Sequence, residues 1–132
     1  MNIEEKLKNC KLLKAEALLL RKQYIDDLQL IDKLKKNNHP AYKKVKDGCD
    51  CLYERIEQLV NEYKAIENII GKVPGSKGDF LRLYYIEGKS LEMISKEINY
   101  SKSSFPKLKR EGIKWIEEHN AEQRHSTALK CR

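Results

Sequence analysis

VKDGCDCLYERIEQLVNEYKAIENII, residues 45–70, decides the fold class. Val45, Cys49, Leu52, Ile56, Leu59, Tyr63, Ile66 and Ile70 recur at alternating steps of three and four, with no polar interruption. That spacing describes a helix with one apolar seam repeating every ~3.5 residues, the pattern of a coiled coil. Upstream, Ile3, Cys10, Leu13, Ala17, Leu20, Tyr24, Ile31 and Leu34 trace a similar stripe over about 3–35, with Lys6 and Asp27 as faults in it. The two stripes are separated by Lys36-Asn-Asn-His-Pro40, a turn signal. Helices of ~40–50 Å joined by so short a link fold back most economically as an antiparallel hairpin. A long parallel dimeric coil is the competing packing. The seam formed by Val45, Cys49, Leu52, Ile56, Leu59, Tyr63 and Ile66 is expected to serve oligomerisation, most simply as a homodimer.

Downstream of the hairpin the rhythm changes. Gly71-Lys-Val-Pro-Gly-Ser76 punctuates the chain, and shorter helices follow. Ser76 precedes Asp79 by three residues, a capping-box spacing for a helix running to Ile86 and stopped by Gly88. Ser90 is placed to cap a second helix, 91–98, with Leu91, Ile94 and Ile98 on one face. Asn99-Tyr100-Ser101 forms a tight turn, and a third helix carries Phe105, Leu108, Ile113, Trp115 and Ile116. The expected architecture is all-α. A coiled-coil hairpin occupies 1–71, a linker 72–76, a three-helix helix-turn-helix domain 77–120 and a flexible tail 121–132.

Charge narrows the function. The 132 residues hold 27 Lys+Arg against 20 Asp+Glu, net +7. Residues 1–71 carry net +2 and residues 72–132 net +5. Lys102, Lys107, Lys109, Arg110 and Lys114 crowd one short stretch with a single acid, Glu111. Such a balance points to a polyanionic partner. Two short helices joined by a tight turn, the second one basic, suit double-stranded DNA, with the second helix in the major groove. Bases on that helix meet phosphates and the acceptor edge of guanine, and Ser contacts bases of either kind.

Residues 81–116, LRLYYIEGKSLEMISKEINYSKSSFPKLKREGIKWI, resemble the fourth region of bacterial sigma factors. The shared pattern is an aromatic-rich helix, a Gly turn, a Ser-Leu-x-x-Ile helix, a turn ending in Ser, and a basic recognition helix. The similarity covers under a third of the chain. With the hairpin added, the whole chain resembles phage and prophage transcriptional regulators of the ArpU and RinA type. The resemblance implies base readout from Lys102, Ser103 and Lys107, with Arg110 one turn on, and Ser104 is expected among the DNA-binding residues. It also implies phosphate contacts from Lys89 and Ser90; the expected mechanism is charge-driven docking through Lys89, Lys107, Lys109, Arg110 and Lys114. Pro106 departs from the family pattern, which has a donor-bearing residue there. A helix starting at Ser101 would place this proline in its interior; a start at Ser103 places it in the first turn, where it is tolerated. Two rivals share the architecture: an adaptor that docks on RNA polymerase without DNA specificity, and a small-terminase-like packaging component.

Other classes find little support. The longest apolar runs, such as 17–20, are far short of a membrane span, and acids stand near the N-terminus where a signal peptide has bases. A cytoplasmic protein is expected, and in a reducing compartment Cys10, Cys49, Cys51 and Cys131 are expected as thiols. Cys49-x-Cys51 is one pair where structural zinc wants two, so neither metal nor cofactor is expected. No nucleophile lies beside a base, and Gly75-Ser-Lys-Gly78 lacks Walker spacing, so a non-enzyme is expected. Tyr24 and Tyr63 are seam positions. One of Tyr84 and Tyr85 is expected inside the small domain, and Tyr100 at the turn.

Overall fold

The computed structural model describes the backbone of residues 2–130 and the side chains of residues 2–119. Among them there are helices and no strands. Helices α1 (Ile3–Lys36) and α2 (Tyr42–Lys72) are the two long elements. Three further helices follow: α3 (Gly75–Leu81), α4 (Leu91–Ile98) and α5 (Phe105–Lys130). A π-helical segment, Arg82–Ile86, continues α3, and a 3₁₀ turn, Lys102–Ser104, leads into α5. The backbone of α5 is helical to Lys130. The flexible tail expected over 121–132 thus falls on helical backbone as far as Lys130, and the side chains of 120–132 and all of 131–132 lie outside the described residues. No helix among the described residues is long and apolar enough to cross a membrane.

The chain divides into two compact units, Leu12–Tyr63 and the combination of Met1–Lys11 with Lys64–Arg132. The boundary differs from the expected break over 72–76. There, α2 runs to Lys72, only Val73 and Pro74 intervene, and Val73 is buried. The physical reason is packing. The first turns of α1 and the last turns of α2 bury Leu7, Cys10, Ile66 and Ile70 in the same unit as Phe80, Leu83 and Ile116.

Within Leu12–Tyr63 the two long helices run antiparallel. Contacts pair rising numbers on α1 with falling numbers on α2: the Lys14 ammonium over the Tyr63 ring, Glu16 with Arg55, and Tyr24 with Tyr53. Ala17, Cys49, Ile56 and Leu59 are buried between them, and Val45, Leu52 and Tyr63 are half-buried. The stripe expected to join two chains is therefore consumed within one. Ile66 is likewise buried, in the other unit. The turn is closed locally: the His39 N–H donates to the Leu34 carbonyl (2.9 Å) and His39 Nδ1 accepts from the Ala41 N–H (3.0 Å). Asn38 takes the left-handed conformation that ends α1.

In the second unit α3 crosses α5 so closely that a Cβ on Gly112 would fall 2.7 Å from Leu81 Cδ1. Phe80 packs on Phe105, ring centroids 5.0 Å apart. Of the paired tyrosines Tyr85 is buried and Tyr84 exposed. Among the described residues the Tyr85 hydroxyl makes no hydrogen bond of good geometry, and burial raises its pKa above the usual phenol value against the opposing pull of the Lys109 ammonium. The capping box expected at Ser76 does not form. The helix begins two residues earlier than a Ser76 cap would start it, at Gly75 with φ +71°, and Pro74 holds the cap position without a side-chain bond.

Candidate nucleic-acid interface

The α4–turn–α5 unit is assembled by local chemistry. Ser90 Oγ accepts from the Met93 N–H (3.3 Å) and caps α4, satisfying one of the amides that a helix start leaves open. Gly88 at φ +65° turns the chain into that cap. Asn99, left-handed at φ 58°, ends α4, and Ser95 Oγ donates to the Tyr100 carbonyl (2.5 Å) across the turn. Ser101 starts the 3₁₀ turn, with Ser104 bonded to its carbonyl through both N–H (3.0 Å) and Oγ (2.6 Å). The α-helix itself starts at Phe105, which puts Pro106 in its first turn, where the missing N–H costs little. The start thus combines the two alternatives: Ser101 caps a tighter turn, and the α-helix begins after it. Ile94, Phe105 and Leu108 bury the inner face of the motif. Leu91, expected on that face, is 44% exposed, because the first residue after the cap lies at the rim of the domain.

The expected contact residues divide by their partners. Lys107, Arg110 and Lys114 are exposed, and among the described residues no carboxylate pairs with them. Their steps of three and four place them on one side of α5 over ~10 Å. Lys102 also reaches outward but meets Glu92 at 3.2 Å. Both groups are largely exposed, so the pair is worth ~1 kcal/mol at most and opens readily.

Lys89 and Lys109 are engaged elsewhere. Lys89 bonds Glu97 and lies 3.6 Å from Glu87, and the Glu97 contact raises its pKa. Lys109 reaches across to Glu4 at the start of α1, 2.7 Å away. The bond raises the Lys109 pKa and lowers that of Glu4. A depressed carboxyl pKa means that this pair supports the fold at neutral pH and is lost as pH falls through the Glu4 value. The serines are spent on the chain too: Ser90 as a cap, Ser104 on Ser101, and Ser103 Oγ 2.9 Å from Ser101 Oγ. Sequence reasoning missed these engagements. The acids concerned lie on other turns, and in the case of Glu4 at the far end of the chain.

The cysteine pair does not gather ligands. Cys49 is buried and Cys51 exposed, and burial raises the Cys49 pKa, as suits a thiol in an apolar seam. Among the described residues no group of three or more His, Cys, Asp or Glu side chains is placed to hold a metal ion. His119 stacks on Trp115 at 3.8 Å, with Nδ1 2.8 Å from the Trp115 carbonyl oxygen, a local helix contact.

Comparison of the chain with protein-family models, curated proteins and solved structures finds no match.

Proposed function

We propose that the protein is a sequence-specific double-stranded DNA-binding transcriptional regulator of phage type. The observation that carries the reading is the open basic face of α5. Lys107, Arg110 and Lys114 stand on the outer side of the second helix of a helix-turn-helix, without acidic partners among the described residues. A helix so presented fits the major groove, where Arg and Lys meet guanine edges and phosphates. The sigma-like pattern over 81–116 supports the same assignment. Readout falls to Lys107 and Arg110, and Lys114 follows the backbone. Lys102 joins them once its surface pair with Glu92 opens. Lys89 and Lys109 contribute to the domain's own cohesion and add long-range charge. One such domain makes few contacts, so two copies on a two-fold site are expected, with recognition helices ~34–36 Å apart or a multiple of that.

The experiment is selection of duplexes from a random library, followed by binding across a salt series. A selected sequence is expected to bind ~10³-fold or more above random DNA, with affinity falling steeply as salt rises. Equal, weak binding to every duplex contradicts the reading and moves it to an adaptor on RNA polymerase. A ring of many subunits in solution favours a packaging component.

A further inference from the structure

The outward side of α1 is apolar where a solitary hairpin needs it polar. Leu12, Leu18, Leu19 and Ile25 are 68%, 56%, 65% and 54% exposed. By helix geometry they share, with Ala15 and Lys22, the side opposite the buried Ala17 and the α2-facing Tyr24. A contiguous exposed apolar patch of this kind marks an interaction site, unlike leucines scattered singly.

Charge selects the occupant. The face itself carries one base, Lys22, and one acid, Asp26, net zero in a chain of net +7, while Lys14 and Glu16 turn to Tyr63 and Arg55 of α2. Such a face attracts neither DNA nor a strongly charged protein, and it does not repel its own copy. The order along it is Leu12, Ala15, Leu18, Leu19, Lys22, Ile25, Asp26. Two copies placed parallel would set Lys22 on Lys22 and Asp26 on Asp26. Placed antiparallel about an axis between Leu18 and Leu19, they set Leu12 beside Ile25 and Ala15 beside Lys22. Four leucines then meet at the centre.

We propose that the outer face of α1, residues 12–25, is a homodimer interface in which the α1 helices of two copies pack antiparallel. The contact is isologous, so it closes at two copies. It differs from the α2 stripe, which the chain covers by itself. A patch ~20 Å long lies at the small end of stable interfaces, so the dimer dissociates on dilution.

The test is sedimentation of the purified full chain over a concentration series without nucleic acid, so its outcome is independent of the DNA reading. The chain is expected to pass from dimer to monomer on dilution. The double change Leu18→Glu, Leu19→Glu is expected to give a monomer throughout with unchanged helical circular dichroism, because both side chains are exposed. Ala15→Glu reports the orientation. Antiparallel packing sets the new carboxylate against the partner's Lys22, and the dimer is expected to tighten roughly threefold to tenfold. Parallel packing sets like charges together and weakens it. A wild-type chain monomeric at every concentration overturns the proposal and leaves the face to a different protein. A dimer that survives the leucine changes, or that Ala15→Glu weakens, also overturns it.

Discussion

Replacing Lys107 and Arg110 together with alanine is expected to remove sequence-selective duplex binding while leaving the fold intact. On the proposed reading Arg110 makes a bidentate contact to guanine and Lys107 meets a base edge or phosphate. Their joint loss is expected to cost about 2–4 kcal/mol, or roughly thirtyfold to a thousandfold in affinity. Two fewer cations near phosphates also flatten the slope of log affinity against log salt by ~2. Both side chains are exposed, so thermal unfolding should not change. Fluorescence anisotropy with the selected duplex measures the affinity and the slope together. A variant that binds within twofold of the unaltered chain contradicts the assignment.

Gly78→Ala is expected to be the most damaging single change to stability. A Cβ there would fall 1.9 Å from the Val73 carbonyl oxygen and 2.8 Å from its carbon. These are backbone atoms of the break between α2 and α3, and Gly78 is buried, so no flexible side chain can yield. The helix or the break must move. A loss of about 3 kcal/mol or more is expected, lowering Tm by ~10 °C or more. Gly48→Ala is the control. It lies inside α2 with nothing within 4 Å of its Cβ position, and the change should stabilise the helix by ~0.5–1 kcal/mol. Thermal melts of the two variants beside the unaltered chain check both signs. Equal melting temperatures for Gly78→Ala and the unaltered chain contradict the close approach.

The α2 stripe was legible because each of its apolar positions, Val45 to Ile70, is buried or half-buried, Val45 to Tyr63 in one unit and Ile66 and Ile70 in the other. The α1 stripe from Ile3 to Leu34 is likewise buried or half-buried at every position named for it, but it does not account for all the apolar residues of that helix. Leu7 is buried off the expected seam, in the unit that holds the helix-turn-helix, while Leu12, Leu18 and Leu19 face outward. Heptad spacing locates a seam but does not say whether a second chain or the same chain covers it. The cap at Ser90, the turn at Asn99 and the inner residues Ile94, Phe105 and Leu108 followed from local spacing. Which basic residues stay open did not. Lys109 and Glu4 stand at opposite ends of the chain, and only folding brings them to 2.7 Å. Charge density over 102–114 was readable, but its division into open and engaged lysines depends on tertiary neighbours.

The most direct test of the DNA-binding assignment is titration of ¹⁵N-labelled protein with the selected duplex, followed by amide shifts residue by residue. Shifts are expected to concentrate in residues 101–114, strongest at Lys107 and Arg110, with those of residues 42–63 unchanged. Shifts concentrated in α2, with the amides of 101–114 unmoved at saturation, would contradict the assignment of α5 as the recognition helix.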